Sequence, residues 1–296
     1  MQALLVAHRL DAPDATGIGR YVRELTTALA AQGPAAGWTV GVAATPETET
    51  VTWLPPGVTA TTLGRSRRRT HLGWTVRGRP TLERLGVHPD LVHVLSPFTP
   101  IPTGAPRVWS IHDTWYLDRP GWGGRVEAWA GGRALRQTGA DGGPVIMAVE
   151  AMADAAVAAG IARDRIRVVP DGVAAEFHDA PVGPGGAAER VAVLARHGVE
   201  DGRYLLAVGG IIPRKNLGIV VEALRRRPPA GDADGPELLV VGPPGPGAGP
   251  TLDALDALGP RVRQAGFVPG GDLPALMAGA RAVVHPSRDE GFGLVP

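Results

Sequence analysis

The chain is 296 residues long, a length that favours two domains of ordinary size. Its 30 basic and 29 acidic residues leave a formal net charge of +1, which excludes the bulk electrostatic footprint of a protein that wraps nucleic acid. Cysteine is absent, which excludes disulfide frameworks, thiolate nucleophiles and Cys-ligated zinc or iron–sulfur centres. The 42 glycines and 29 prolines make about 24 % of the chain, just under the level at which low-complexity disorder becomes the first expectation. The apolar residues nevertheless fall into regular runs, as a folded chain with many turns requires. No apolar segment approaches the roughly 18–20 residues needed to cross a bilayer, and the N-terminus carries no leader pattern. The expectation is a cytoplasmic protein.

In chain order, Ala3–Ala7, Val40–Ala44, Leu91–Leu95, Val108–Ile111, Val145–Val149 and Ile166–Val169 are predicted as strands, with helices predicted over Gly19–Ala31 and Glu150–Ala159. Val22, Leu25, Ala28 and Leu29 share one face at three- and four-residue spacing, as packing onto a sheet requires. A stretch from about Ala174 to Ala188, centred on Ala180-Pro-Val-Gly-Pro-Gly-Gly186, has no periodicity and is predicted as a linker. The pattern then restarts. Strands are predicted over Tyr204–Val208, Leu238–Val241, Val262–Phe267 and Ala282–His285, with helices over Leu217–Arg227, Thr251–Leu258 and Leu273–Gly279. The expected fold class is α/β: two Rossmann-like domains, 1–176 and 177–296, facing each other across a cleft, the second incomplete.

Several short segments carry chemistry. Thr16-Gly17-Ile18-Gly19 is expected to join the first strand to the first helix, where Gly17 and Gly19 let backbone N–H groups approach an anion. The third glycine of a dinucleotide fingerprint is replaced by Val22. Pro213-Arg214-Lys215-Asn216 follows the strand that ends near Gly210, and Asn216 is predicted to cap the next helix. Arg214 and Lys215 would then stand at a helix start, a combination suited to a diphosphate. Lys215 is the only lysine among 30 basic residues, so arginine is the background choice and a compact ammonium here stands out. His112 and Asp113 follow a predicted strand, at a carboxyl end. Asp289-Glu290-Gly291-Phe292-Gly293-Leu294 follows another and combines carboxylates, which bind sugar hydroxyls, with glycine-flanked amides. The glycine-rich Gly242–Pro250 contains prolines that delete the donors a phosphate cradle needs, and is predicted as a plain loop. Arg65, Arg67–Arg69 and Arg225–Arg227 are read as solvated surface.

Together these motifs resemble the retaining glycosyltransferases of family 4, the group 1 transferases with the two-domain GT-B fold. The resemblance rests on Gly17-Ile-Gly-Arg-Tyr21, Ser110-Ile-His-Asp113, Ile166-Arg-Val-Val-Pro-Asp-Gly-Val173, Val208-Gly-Gly-Ile-Ile-Pro-Arg-Lys-Asn-Leu217, and Ala280-Arg-Ala-Val-Val-His-Pro-Ser287 leading into Glu290-Gly-Phe-Gly-Leu294. It implies transfer of a hexosyl group from a GDP- or UDP-linked sugar to a glycan or lipid-linked acceptor, without a metal ion or other cofactor. Mannosyltransferase-like chemistry in polysaccharide biosynthesis, and contact with the inner face of the membrane, are further implications. By the same resemblance Arg214 and Lys215 hold the diphosphate and Gly17 and Gly19 approach it. His112, Asp113 and Glu290 serve the donor sugar, with Gly210, Phe292, Gly293 and Leu294 lining the nucleotide sugar. The family's second glutamate would fall at position 298, beyond Pro296, so a C-terminally shortened chain is expected. Asp171 stands where the family has asparagine. A non-catalytic nucleotide-sugar-binding module or inactive fragment, a nucleotide-sugar epimerase and a nucleic-acid binder are the rival readings, the last disfavoured by the neutral charge.

Overall fold

The structure, a computed structural model, describes residues 1–6, 17–44, 53–64, 69–70, 73–74, 77–95, 101–119, 122, 125–178, 184–226 and 236–295. Ala7, Thr16, Arg65, Arg67, Arg68, Arg227 and Pro296, named in the expectations above, lie outside the described residues. The chain divides into two compact units: Met1–Asp118 with Val126–Asp171, and Arg119–Arg125 with Gly172–Pro296.

The first unit is built on seven parallel strands: β1 (Gln2–Val6), β2 (Thr39–Ala44), β3 (Thr59–Thr62), β4 (Leu91–Val94), β5 (Arg107–Ile111), β6 (Val145–Met147) and β7 (Ile166–Val168). Their order is β3-β2-β1-β4-β5-β6-β7, with Leu4 of β1 beside Gly41 on one side and Val92 on the other. Parallel strands covered on both faces are apolar throughout, and Ala3 to Val6 are all buried. The two-residue period sends Leu4 and Val6 into a cluster with Val92, Val94, Trp109 and the Met152, Ala153 and Ala156 face of the Glu150–Ala158 helix. Leu5 points the other way, with Val40 and Val42 against Val22, Leu25 and Leu29 of the Gly17–Gln32 helix.

β3 and the Arg125–Asp141 helix of this unit escaped the sequence pattern. β3 reads Thr-Ala-Thr-Thr, is largely exposed and sits at the sheet edge, so it carries no apolar signature. The Arg125–Asp141 helix faces inward with small side chains, Ala128, Gly131, Ala134 and Thr138, alongside Leu135. A Cβ at Gly131 would collide with the Tyr116 ring, so the glycine that weakens the helical signal is what lets the helix pack. The last carbonyls of that helix have no intrahelical donor. Arg165 satisfies them, donating to Thr138 O at 2.7 Å and Gly139 O at 2.8 Å, and also to Gly143 O at 2.6 Å.

The second unit holds β8 (Tyr204–Val208), β9 (Glu237–Val241), β10 (Val262–Gly266) and β11 (Ala282–Val283), all parallel, in the order β10-β9-β8-β11. Leu238 and Val240 pack with Val220, Val221 and Leu224 of the Gly218–Arg226 helix, while Leu239 and Val241 pack with Val193 and Leu194 and with Ala275 and Leu276 of the Leu273–Gly279 helix. The expected linker is corrected here: a helix, Pro184–Arg196, begins inside it, preceded by a short one at Ala175–His178. Proline in the first turn of a helix loses no hydrogen bond, so the Pro-Gly-Gly run hides a helix start. That helix ends on a cross-link: Arg196 Nη2 and His197 Nε2 reach the two oxygens of Asp272, at 2.7 and 2.8 Å. Burial works to raise the Asp272 carboxyl, and the bonds from His197 and Arg196 outweigh it and hold the group below the usual carboxylate range. β11 pairs Ala282 with Leu205 and Val283 with Leu206, and ends two residues before the predicted His285. Among the described residues no helix is long and apolar enough to cross a membrane.

Candidate functional site

In the second unit the site is assembled where β8 and β9 end. Gly209 and Gly242, the residues after the two strands, have φ of 127° and 136°, backbone that L side chains rarely adopt. Gly209 N donates to Val241 O at 2.8 Å, and Ile211 N to Pro243 O at 2.9 Å, so the Gly242–Pro250 segment is pinned against the chain leaving β8. The chain then makes one tight turn, Pro213–Lys215, ending in Asn216 at φ 54°. The turn aims Lys215 back across Gly209, where a Cβ would stand only 3.1 Å from Lys215 Cε. The absent side chain at 209 is the groove in which the lysine stem lies.

The expectation for Asn216 is corrected. It has left-handed backbone and precedes Leu217, which occupies the capping position of the Gly218–Arg226 helix. Its side chain holds the loop beyond β11: Nδ2 donates to Pro286 O at 3.2 Å, and Oδ1 accepts from Arg288 Nε at 3.2 Å. With Arg288 N donating to Arg214 O at 3.0 Å, these bonds tie residues 286–290 to residues 214–216.

The tie places Glu290 on the cation pair. Lys215 Nζ donates to Glu290 Oε1 at 2.6 Å, and Arg214 Nη1 lies 3.5 Å from Oε2 and donates to Asp289 O at 3.2 Å. His285 Nε2 stands 3.1 Å from Glu290 Oε1, the oxygen that Lys215 holds. Burial works to raise the Glu290 carboxyl; the Lys215 bond, the Ser287 hydroxyl and the charges of Lys215 and Arg214 overcome it and hold the group below its ordinary value. His285 is pushed down, by burial first and by the Lys215 and Arg214 cations, with Glu290 pulling the other way. Of the expected residues, Arg214, Lys215 and Glu290 are therefore brought into direct contact. Gly210 follows the glycine beneath Lys215, and Gly293, at φ 85°, lies next to the Glu290 stem. Phe292 and Leu294 flank Gly293, half-buried and partly exposed.

In the first unit Gly17, Ile18 and Gly19 are the opening residues of the Gly17–Gln32 helix rather than a turn before it. Their N–H groups belong to the first helical turn, where donors lack intrahelical partners. Among the described residues, none comes within 4 Å of where a Cβ at Gly17 would stand. His112 and Asp113 follow β5 as expected. The His112 ring is fixed on two sides: Nε2 donates to Leu95 O at 3.1 Å, and the Tyr21 ring meets it edge to face at 4.6 Å. Because the carbonyl can only accept, Nε2 carries the proton and Nδ1 is the acceptor. Burial pushes His112 down to about 4, so the imidazole is neutral at neutral pH.

Sequence reasoning missed the polar chain beneath this ring. Tyr21 Oη lies 3.3 Å from Ser110 Oγ, which lies 2.9 Å from His93 Nε2. Burial, then the neighbouring His112, pushes His93 down to about 4. The available signal was a lone histidine inside the apolar run Leu91–Val94. His285 was also missed, lying just before Pro286 in a segment that reads as strand.

The arrangement supplies two fixed cations beside a carboxylate and a histidine in one unit, and a neutral imidazole near a helix start in the other. The family model described as Glycosyltransferase Family 4 matches residues 15–177, more than half of the chain. The chain belongs to glycosyltransferase family 4. A second model, Glycosyl transferases group 1, matches residues 202–296. Among solved structures, HepE of Anabaena in complex with UDP and glucose is similar at 18 % identity and a TM-score of 0.70, over 99 % of this chain and 76 % of that one. Sucrose-phosphate synthase of Thermosynechococcus elongatus is similar at 20 % identity and a TM-score of 0.67, over 100 % and 77 %. WaaG, a glycosyltransferase involved in lipopolysaccharide biosynthesis, gives 19 % identity and a TM-score of 0.69, over 100 % and 77 %. At such identities the likeness is one of fold, that of the GT-B glycosyltransferases, and the expected class of two parallel α/β units is borne out. A search of curated protein sequences finds no match.

Proposed function

We propose that this family 4 glycosyltransferase moves a hexosyl group, with retention at the anomeric carbon, from a UDP- or GDP-linked sugar to a glycan or lipid-linked acceptor. The observation that carries the reading is the Arg214–Lys215 pair, held by the Pro213–Lys215 turn with Lys215 laid into the Gly209 groove. Fixed cations in a partly buried site stabilise charge that develops during reaction, because they need no reorganisation as it forms. In the proposed step the bond from the anomeric carbon to the leaving phosphate oxygen breaks, and the electron pair stays on the diphosphate. Arg214 and Lys215 stabilise that charge. The acceptor hydroxyl bonds to the same face of the anomeric carbon, and its proton passes to the leaving phosphate.

The remaining assignments follow the same reading. Glu290 binds donor-sugar hydroxyls, with Gly210 and the backbone of Phe292, Gly293 and Leu294 alongside the nucleotide sugar. In the first unit His112 and Asp113 serve the donor sugar, and the first-turn amides of Gly17 and Gly19 serve its phosphates. His112, neutral and with Nδ1 free of the Leu95 contact, accepts a hydroxyl hydrogen bond rather than pairing with phosphate. Polysaccharide biosynthesis, membrane contact at a cytoplasmic face and independence of a cofactor remain parts of this proposal.

Isothermal titration with UDP-glucose and GDP-mannose tests the reading. UDP is a reasonable first base because HepE is known in complex with UDP and with UDP-glucose. One of the two nucleotide sugars should bind, and Lys215→Ala should weaken that binding roughly 10- to 100-fold, the cost of a lost charge-assisted hydrogen bond of about 1.5–3 kcal/mol. Absence of binding by both, or unchanged affinity in Lys215→Ala, refutes it. Binding without transfer to any acceptor leaves a nucleotide-sugar-binding module.

A further inference from the structure

The cation pair is already occupied by a carboxylate of its own chain. Lys215 Nζ is 2.6 Å from Glu290 Oε1, and Arg214 Nη1 is 3.5 Å from Oε2. A nucleotide sugar brings two phosphates, each with one negative charge, to the same cations. Glu290 then stands half-buried beside like charge and has lost its nearest counter-ion, a costly state for an ionised group. A replacement is in place: His285 Nε2 lies 3.1 Å from the very oxygen that Lys215 releases.

We propose that His285 is a positioning residue that takes over Glu290 when phosphate engages Arg214 and Lys215, and that it gains a proton in doing so. The inference rests on the reading of this site as a nucleotide-sugar site. Among the described residues, the charged groups that act on His285 are Glu290, Lys215 and Arg214. Before ligand arrives, burial and the two cations keep the imidazole neutral against the pull of Glu290. Phosphate on Arg214 and Lys215 offsets the repulsion of the two cations and leaves the pull of Glu290, so the histidine's proton affinity rises. Binding therefore takes up as much as one proton from solvent. Through linkage, affinity falls as pH rises above the free-state pKa of His285, by at most tenfold per pH unit. Glu290, held by His285 instead of by the cations, keeps a defined place from which to meet the donor's hydroxyls.

The test is calorimetric and needs no turnover. The 296-residue chain is titrated at pH 7 with UDP-glucose and with GDP-mannose, in HEPES and in Tris, whose ionisation enthalpies differ. Neither donor's phosphates carry a proton at this pH, so proton uptake reports the protein. The expected result is a heat that depends on buffer, equivalent to roughly 0.3–1 proton taken up, and independent of buffer in His285→Gln and in Glu290→Gln. A buffer-independent heat in the parent chain, or undiminished uptake in His285→Gln, overturns the proposal and leaves the nucleotide-sugar reading standing. No binding of either donor removes that reading and this one with it. Should His285→Gln fail to fold, the ring resonances of His285 in the parent chain decide: they should move to imidazolium positions on saturation at pH 7, and an unmoved signal overturns the hand-over.

Discussion

Acidification should unfold the first unit well before its carboxylates are neutralised. His93 and His112 are both pushed down to about 4 by burial, against about 6.5 in the unfolded chain. A histidine with a depressed folded pKa binds more protons unfolded than folded. Stability is therefore complete above pH 6.5 and is lost as pH falls toward 4. Each depression is about two and a half pK units, worth about 3 kcal/mol at 1.36 kcal/mol per unit, and the slope is about 1.4 kcal/mol per pH unit for each histidine. The sum, about 7 kcal/mol, is comparable with the whole stability of a typical domain. Glu83 of the same unit is held near 2 by its Thr103 bond, so its contribution is lost only below about 4.5, and the interval from 6.5 to 4.5 belongs to the histidines. Asp171, raised by burial, works weakly in the opposite direction. Six of the seven tryptophans lie in this unit, so urea unfolding followed by tryptophan fluorescence reports it selectively. The midpoint should fall steeply between pH 6.5 and 4.5, and His93→Gln should roughly halve the slope. A midpoint independent of pH over this range, or a slope unchanged in His93→Gln, refutes the reasoning.

Two further outcomes concern the second unit. Asp272→Asn removes the charge that accepts from Arg196 and His197 and should cost about 2–3 kcal/mol; far-ultraviolet circular dichroism during urea unfolding should show an early transition while most of the tryptophan signal, which comes from the first unit, is unmoved. Gly242→Ala places a side chain at φ 136° and against the Gly209 carbonyl. It should cost more than about 1–3 kcal/mol and abolish nucleotide-sugar binding, whereas binding with parent affinity would show that the strand ends do not hold Lys215.

Elements with a strong pattern were legible in the sequence, and those defined by small or polar residues were not. The buried strands Gln2–Val6 and Glu237–Val241 announce themselves as apolar runs, because a parallel sheet covered on both faces admits little else. The Arg125–Asp141 helix does not, since its contact face is alanine, glycine and threonine. The same contrast divides the site. Arg214 and Lys215 could be found because a solitary lysine beside a predicted strand end is a compositional anomaly. Their engagement by Glu290, 75 residues later in the chain, depends on β11 pairing with β8, which no local pattern encodes. Asn216 was misassigned for a related reason: its residue type suits a cap, and its actual partners, Pro286 and Arg288, are distant in sequence. His93 and His285 were overlooked because a histidine embedded in apolar sequence looks like core until its neighbours are known.

The pairing of β11 has a consequence for how the protein is made. Two residues, Ala282 and Val283, dock this edge strand on β8, and Glu290, the carboxylate that holds Lys215, follows them in the chain. A nascent chain that has emerged only through the Leu273–Gly279 helix already contains both cations but not His285 or Glu290, so it would present Lys215 without the carboxylate that later holds it. Maturation of this half thus coincides with the moment its own acid reaches Lys215.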